Sequence, residues 1–251
     1  MRFIGHSTVS IATPAMRILT DPLLRTRISF LRRLMPPPGP EALPRPDLVL
    51  LSHLHQDHTD LPSLRMLGAR PLVIAPPGAG DFVAAAGVSR VVEAVLDQPI
   101  LVPPDVVIRA VPAVHDGGRP PFGPQATAVG YLIEFAGRRV YFAGDTDIFP
   151  DMPYLGPVDL ALLPVWGWGP NLGPGHMDPA GAAQAAALLS AGAAIPIHWG
   201  TYFPLGMRQA LLGAARFLTD PPREFASRAA EVAPDTDVLV LEPGDGCDLW
   251  Q

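Results

Sequence analysis

At 251 residues, 48% hydrophobic and 17% charged, the chain can bury a large core, and one domain over residues 1–251 is the economical reading. A formal net charge of −6 argues against a nucleic-acid partner. All 18 basic side chains are Arg, which excludes Schiff-base and P-loop lysine chemistry, and the single Cys247 excludes an internal disulfide framework.

The opening Met1-Arg2-Phe3-Ile4-Gly5-His6 enters a strand pattern at once and has no apolar h-region. The most apolar later stretch, Gly181 to Ile197, is Ala-rich and broken by Gln184 and Gly192, so no membrane span is expected and the reading is a soluble, cytoplasmic protein. Phe3-Ile4, Thr8 to Ile11 and Arg17 to Leu19 are predicted as short strands of a meander. Leu23 to Arg45 reads as a long irregular segment carrying Arg25, Arg27, Arg32 and Arg33. Such loops serve as lids or anion clamps, but a solvated loop or a subunit contact is the favoured reading, which leaves a homo-oligomer open.

Leu48-Val49-Leu50-Leu51, entered from Pro46-Asp47, has the short, unbroken apolar pattern of a buried strand. It runs directly into Ser52-His53-Leu54-His55-Gln56-Asp57-His58-Thr59-Asp60. Thr59 or Asp60 suits the cap of a helix marked by Leu61, Leu64 and Leu67. His53 and His55 are two apart and can project the same way as the chain leaves the strand; Asp57 and His58 are neighbours and diverge. One loop thus offers two half-sites with nitrogen and oxygen donors suited to Zn²⁺. A run of surface histidines or a lone metal clip is the blander explanation, and the position after a buried strand weighs against it.

Further strands are predicted at Leu72 to Ala75, Val88 to Val92, Ile100 to Val102 and Val106 to Val111, the last leading to His115. Arg119, in a Gly/Pro-rich loop from Gly117 to Gln125, is a candidate anion contact. A hairpin of Ala128 to Phe135 and Arg138 to Ala143 delivers Asp145. Leu160 to Pro164 is followed by a Gly-rich loop with Trp166 and Trp168, read as walls of a ligand pocket. His176 precedes Asp178 and Pro179, good N-cap and N1 residues for an Ala-rich helix ending near Ala191. Ala194 to Ile197 then leads into His198-Trp199-Gly200-Thr201-Tyr202. Helices around Met207 to Leu218 and Arg223 to Val232, and a strand at Val238 to Leu241, complete the reading.

Ser-His-Leu-His-Gln-Asp-His resembles the signature of the metallo-β-lactamase-fold hydrolases, and His115, Asp145 and His198 follow in the order in which that family supplies its other ligands. The resemblance covers nearly the whole chain. It implies an α/β (α+β) fold, a four-layer αββα sandwich. It also implies two metal ions, one on His53, His55 and His115 and the other on Asp57, His58 and His198, bridged by Asp145. Zn²⁺ is preferred for a set rich in imidazole and lacking thiolate, with Mn²⁺ or Fe as alternatives. A hydroxide shared by the ions then cleaves a small phosphodiester, lactone or related ester, which makes the partner a small, anionic molecule. In this scheme Asp57 is catalytic as well as a ligand, and His176 is the proton donor to the leaving group.

Gly5-His6-Ser7-Thr8, Thr20-Asp21-Pro22, Met177-Asp178-Pro179 and His198-Trp199-Gly200-Thr201 resemble pieces of the branch holding the N-acyl-phosphatidylethanolamine phospholipases D and the ascorbate-6-phosphate lactonases. Asp21 becomes an outer carboxylate orienting the histidine loop, or else a turn residue before Pro22. Arg119, Trp166, Trp168 and Tyr202 are read as pocket residues, and His6 either lines the pocket or bonds locally. The rival reading is a di-iron redox enzyme on the same fold, although those relatives resemble a pattern with Glu where His55 stands.

Overall fold

Strands whose two faces are both covered read as unbroken apolar runs, and here such runs stack into two large sheets. A computed structural model describes residues 1–35, 45–167, 173–204 and 216–250. The chain begins with β1 (Arg2–Gly5), β2 (Thr8–Ala12) and β3 (Arg17–Thr20), an antiparallel meander. Two short strands follow, β4 (Arg27–Ile28) and β5 (Leu31–Arg33). Next, β6 (Leu48–Leu50), β7 (Leu72–Ala75) and β8 (Val91–Glu93) continue the first sheet in parallel, in the order β1-β2-β3-β6-β7-β8.

Parallel neighbours need crossovers, and these are α1 (Leu61–Leu67) and α2 (Gly80–Ala85). Their Leu64 and Val83 pack on Val49, Leu51 and Val73 on the outer face of that sheet.

The second sheet begins antiparallel with β9 (Pro99–Val102), β10 (Val106–Pro112), β11 (Val129–Phe135) and β12 (Arg138–Phe142). It turns parallel through β13 (Leu160–Pro164) and β14 (Ala193–Ile197); beyond β15 (Tyr202–Pro204), which belongs elsewhere, β16 (Asp237–Val238) closes its edge. Two helices, α3 (Pro179–Leu188) and α4 (Arg216–Val232), lie on its outer face. One apolar cluster joins Phe3, Val9, Ile18 and Leu50 of the first sheet to Ile108, Tyr131, Ile133 and Tyr141 of the second. It continues through Leu162 and Ile195 to Ala182, Ala186, Phe225 and Ala229 of the helices. Helix, sheet, sheet, helix is the layering expected from the sequence. No helix among the described residues is long and apolar enough to cross a membrane.

Three expectations need correction. The segment from Leu23 is not irregular throughout, because β4 and β5 form a three-stranded sheet with β15, some 170 residues away in sequence. The predicted break between the last two helices is absent: α4 passes through Pro221 and Pro222, both buried. Each proline costs a helix interior about 3 kcal/mol, offset here by Phe225 and Ala229 packed into the core beside α3. Residues 205–215 of that predicted pair lie outside the described residues. The last strand, Asp237–Val238, ends where Val238 to Leu241 was expected to begin.

Candidate metal centre

The loop after β6 is tied down before it presents any side chain. Leu54 N–H donates to Gly117 O, Thr59 Oγ1 donates to His53 O at 2.7 Å, and Thr59 N–H closes back on His55 O. Asp60 then caps α1, accepting from Ser63 N–H at 3.0 Å. From the opposite sheet, His115 and Asp145 each follow three residues after a strand, β10 and β12, and His198 directly follows β14. The centre therefore lies where the ends of strands from both sheets meet.

Four imidazoles are oriented alike. His53 Nδ1 faces Ser52 Oγ at 3.0 Å, His58 Nδ1 faces Asp21 Oδ2 at 2.7 Å, His115 Nδ1 faces Gly175 O at 2.8 Å, and His198 Nδ1 faces Trp166 O. A ring that donates from Nδ1 carries its lone pair on Nε2, so all four offer Nε2 inward. Ser52 Oγ itself donates to Asp21 Oδ2 at 2.5 Å, so one buried carboxylate orients His58 directly and His53 through the hydroxyl. Gly175 (φ +82) must be small to make its contact, since a Cβ there would meet His115 Nδ1 at 3.1 Å.

The donors fall into groups. His53, His55 and His115 form one; His6, Asp57, His58 and His198 form another, with the ligating atoms of each within 4.8 Å of one another. Asp145 Oδ2 stands 3.2 Å from Nε2 of both His58 and His198, and 3.9 Å from His176 Nε2. Like atoms crowd together: His198 Nε2 is 3.2 Å from His58 Nε2, and His115 Nε2 is 3.1 Å from His55 Nδ1. Two neutral imidazole lone pairs repel at that range unless a proton or a cation lies between them. His53 Nε2 and Asp145 Oδ1 are buried without a hydrogen-bond partner among the described residues. Orphaned acceptors and converging lone pairs, with no thiolate among them, fit a divalent cation of the zinc type.

Burial and charge act in opposite directions across the centre. Burial pushes His53 well below its ordinary value, and it pushes His115 to about 4 and His6 to about 3, the latter with repulsion from His198. Burial also works against the charged forms of His58 and His198, but there the Asp145 carboxylate prevails. His198 rises to about 9 and His58 well above its usual range. The same pairs hold Asp57 and Asp145 well below the ordinary carboxylate range in spite of burial.

The other residues singled out from sequence separate clearly. Asp21 lies behind the histidine loop as an orienting carboxylate, accepting from Ser52 N–H as well. His176 borders the centre, its ring 4.7 Å from that of His115 and 23% exposed. Arg119 is a brace: its Nη1 donates to Leu54 O at 2.9 Å and Thr59 O at 2.7 Å, which directs the guanidinium into the loop. Trp166 and Tyr202 are packed against other parts of the protein. The Trp166 ring stacks on Phe203 and Phe217, and the buried Tyr202 hydroxyl donates to Arg25 O. Trp168 lies outside the described residues. Arg25 is committed to Asp60 through two bonds, and the buried Arg33 donates to Ile4 O and Leu23 O, so neither serves as an anion clamp.

Ser52, Gly175 and the Trp166 carbonyl escaped sequence reasoning as orienting partners, because two of the three act through backbone oxygens that no residue type announces. Backbone strain also gathers here. His6, Asp21 and His198 are three of the seven non-glycine residues with positive φ among the described residues. Such conformations cost about 1–3 kcal/mol each and persist only where the surroundings fix them.

Residues 16–199 match the family described as Beta-lactamase superfamily domain. An uncharacterised protein of Mycobacterium bovis is 33% identical over 219 residues, which cover 80% of this chain and 58% of that protein, so the chain spans under two thirds of that relative's length. A protein of Thermococcus onnurineus named as a metal-dependent hydrolase is 30% identical over 259 residues, covering 99% of each. An N-acyl-phosphatidylethanolamine-hydrolyzing phospholipase D of Caenorhabditis elegans is 29% identical over 275 residues, covering 99% of this chain and 74% of that one. Among solved structures, the metallo hydrolase Igni18 of Ignicoccus hospitalis superposes with a TM-score of 0.72 at 24% identity, over 97% of this chain and 95% of its own. CmlA, a diiron β-hydroxylase of Streptomyces venezuelae, gives 0.71 at 20% identity, over 95% of this chain and 52% of its own. At such identities these two likenesses show the fold alone.

Proposed function

The chain belongs to the beta-lactamase superfamily, as a metal-dependent hydrolase, and from that premise we propose a binuclear centre that cleaves a small phosphodiester, lactone or related ester. His53, His55 and His115 hold one ion and Asp57, His58 and His198 the other, with Asp145 between them. Zn²⁺ suits this set best, and Mn²⁺ or Fe also fits its nitrogen and oxygen donors. When bound, the ions supply Lewis acidity and lower the pKa of a water molecule to near neutrality.

The chain's own residues do the rest. Ser52, Asp21, Gly175 O and Trp166 O fix the ring orientations before any ion arrives, so little reorganisation is needed. Asp145, within 3.2 Å of two imidazoles, brings negative charge to the midpoint of the centre. His176, partly exposed and 3.9 Å from Asp145, would give a proton to a departing oxygen. Both sheets share one core, which supports reading residues 1–251 as one catalytic unit.

The observation that carries this reading is the convergence of seven candidate ligand side chains around buried acceptors that lack hydrogen-bond partners among the described residues. The nematode relative acts, by its name, on an N-acyl-phosphatidylethanolamine, which supports a phosphorylated ester as the substrate class. The test is a turnover screen of protein loaded with Zn²⁺, Mn²⁺ or Fe²⁺ against phosphodiesters, lactones and thioesters, with metal content measured alongside. Two equivalents of metal and turnover of one ester class are expected. Protein purified with iron, absorbing in the visible and inert toward every ester, would instead establish the di-iron redox alternative.

A further inference from the structure

His6 lies outside the seven proposed ligands, on the turn between β1 and β2, yet its side chain reaches the same centre. Its Nε2 is 3.1 Å from Asp57 Oδ2. Its ring centre is 4.0 Å from that of His198, and the Tyr202 ring stands edge-on 6.0 Å away. The residue is only 1% exposed.

The backbone around it is fastened to the segment that carries His198. His198 N–H donates to His6 O at 2.8 Å, and His6 N–H donates to Thr201 Oγ1 at 2.7 Å. Gly5, at φ +127, lets the turn close onto that segment, since a Cβ there would sit 2.6 Å from Thr201 Oγ1. His6 itself has φ 57, a conformation that disfavours a side chain by about 1–2 kcal/mol. Two backbone hydrogen bonds and full burial of the ring hold it there. A ring so constrained is a fixed point.

Asp57 stands on the histidine loop after β6, a strand of the same sheet as β1 and β2, with its side chain 16% exposed. A carboxylate turns about its terminal bond easily, and a hydrogen bond to one oxygen selects one orientation.

We propose that His6 is a positioning residue for the second ion: its Nε2–H holds the Asp57 carboxylate in the orientation that completes the Asp57, His58 and His198 half. The inference rests on the binuclear reading and adds to it that the two ions depend on His6 unequally.

The experiment titrates metal-free wild type, His6→Ala, His6→Phe and His6→Gln with Co²⁺, reading visible absorption for each equivalent and equilibrium dialysis for affinity. His6→Phe fills the same slot without an N–H, and it reports even where His6→Ala does not fold. Gln offers an amide N–H at a similar reach. Both variants lacking the donor are expected to bind the first equivalent as wild type does and to lose roughly 10–100-fold in affinity for the second, with an altered spectrum; His6→Gln recovers part of the loss. Wild-type binding of the second equivalent by His6→Phe overturns the role of His6 alone, as does a His6→Gln variant no better than His6→Phe. A wild type that takes up one equivalent, with His6→Phe equal to it, overturns the binuclear reading as well.

Discussion

The half of the centre built on His53, His55 and His115 and the half built on Asp57, His58 and His198 use similar side chains and end in opposite states of charge. Burial dominates the first, where His53 falls well below its ordinary value and His115 falls to about 4. Asp145 dominates the second, where His198 stands at about 9 and His58 well above its usual range. The geometric cause is small: Asp145 Oδ2 lies 3.2 Å from both His58 Nε2 and His198 Nε2. The first half would thus take a cation at neutral pH without giving up a proton, while an ion on the second would have to displace one. Placing one carboxylate decides which of two similar nests must exchange protons for metal.

The largest expected effect comes from Asp145→Ala, which removes the cause of the asymmetry. Turnover falls by more than about a hundredfold, beyond what loss of an outer partner costs, and the second equivalent of metal goes with it. Elemental analysis of the variant beside its steady-state rates checks both. Undiminished activity with two bound ions would break the comparison outright.

Next in size is the response to pH. A group at about 9 is protonated at pH 7, so an ion must displace that proton and binds more weakly as pH falls. The second equivalent should lose about tenfold in affinity per pH unit for each proton displaced, between pH 9 and 6. His115, at about 4, gives up no proton over that range, so the first equivalent should stay nearly level. Calorimetry in buffers of different ionisation enthalpy counts the protons directly. Equal release by both equivalents would show that the halves are not distinct.

The smallest effects sharpen the contrast. Asp21 touches His58 directly and His53 only through Ser52, so Asp21→Asn should weaken the second ion by roughly 10–100-fold and the first by less. Ser52→Ala should weaken the first ion by about tenfold or less. Equilibrium dialysis of the two variants against one metal tests the order, and the reverse order would remove Asp21 as the chief support of the second half.

The parts legible in the sequence are those with a local signature. The buried run before His53 and the strands leading to His115, Asp145 and His198 each announce themselves within a few residues, and β6, β10, β12 and β14 occupy those places. Caps are equally local: Asp60 and Asp178 accept from Ser63 N–H and Gly181 N–H as helix chemistry requires. Long-range pairings left no such trace. The strands β4 and β5 are two and three residues long and exist because β15 pairs with β5, which in turn pairs with β4, and no periodicity near Arg27 could reveal that. Arg119 looks like an anion contact, and Arg25 and Arg33 read either as an anion clamp or as part of the favoured solvated loop, because an arginine reads the same whether it meets substrate, carboxylate or backbone carbonyl. Trp166 looked like a pocket wall because its stacking partners, Phe203 and Phe217, lie far along the chain.

Each nest draws its donors from both sheets: two from the loop after β6, and one from beyond β10 or β14. Cut the molecule along the plane between the sheets and neither piece keeps a whole cup. In the proposed binuclear centre the ions would rivet that seam, and a chain whose halves had slipped past one another would be silent instead of wrongly active. Catalytic competence becomes a certificate of finished assembly, issued only once residues at both ends of the fold have met.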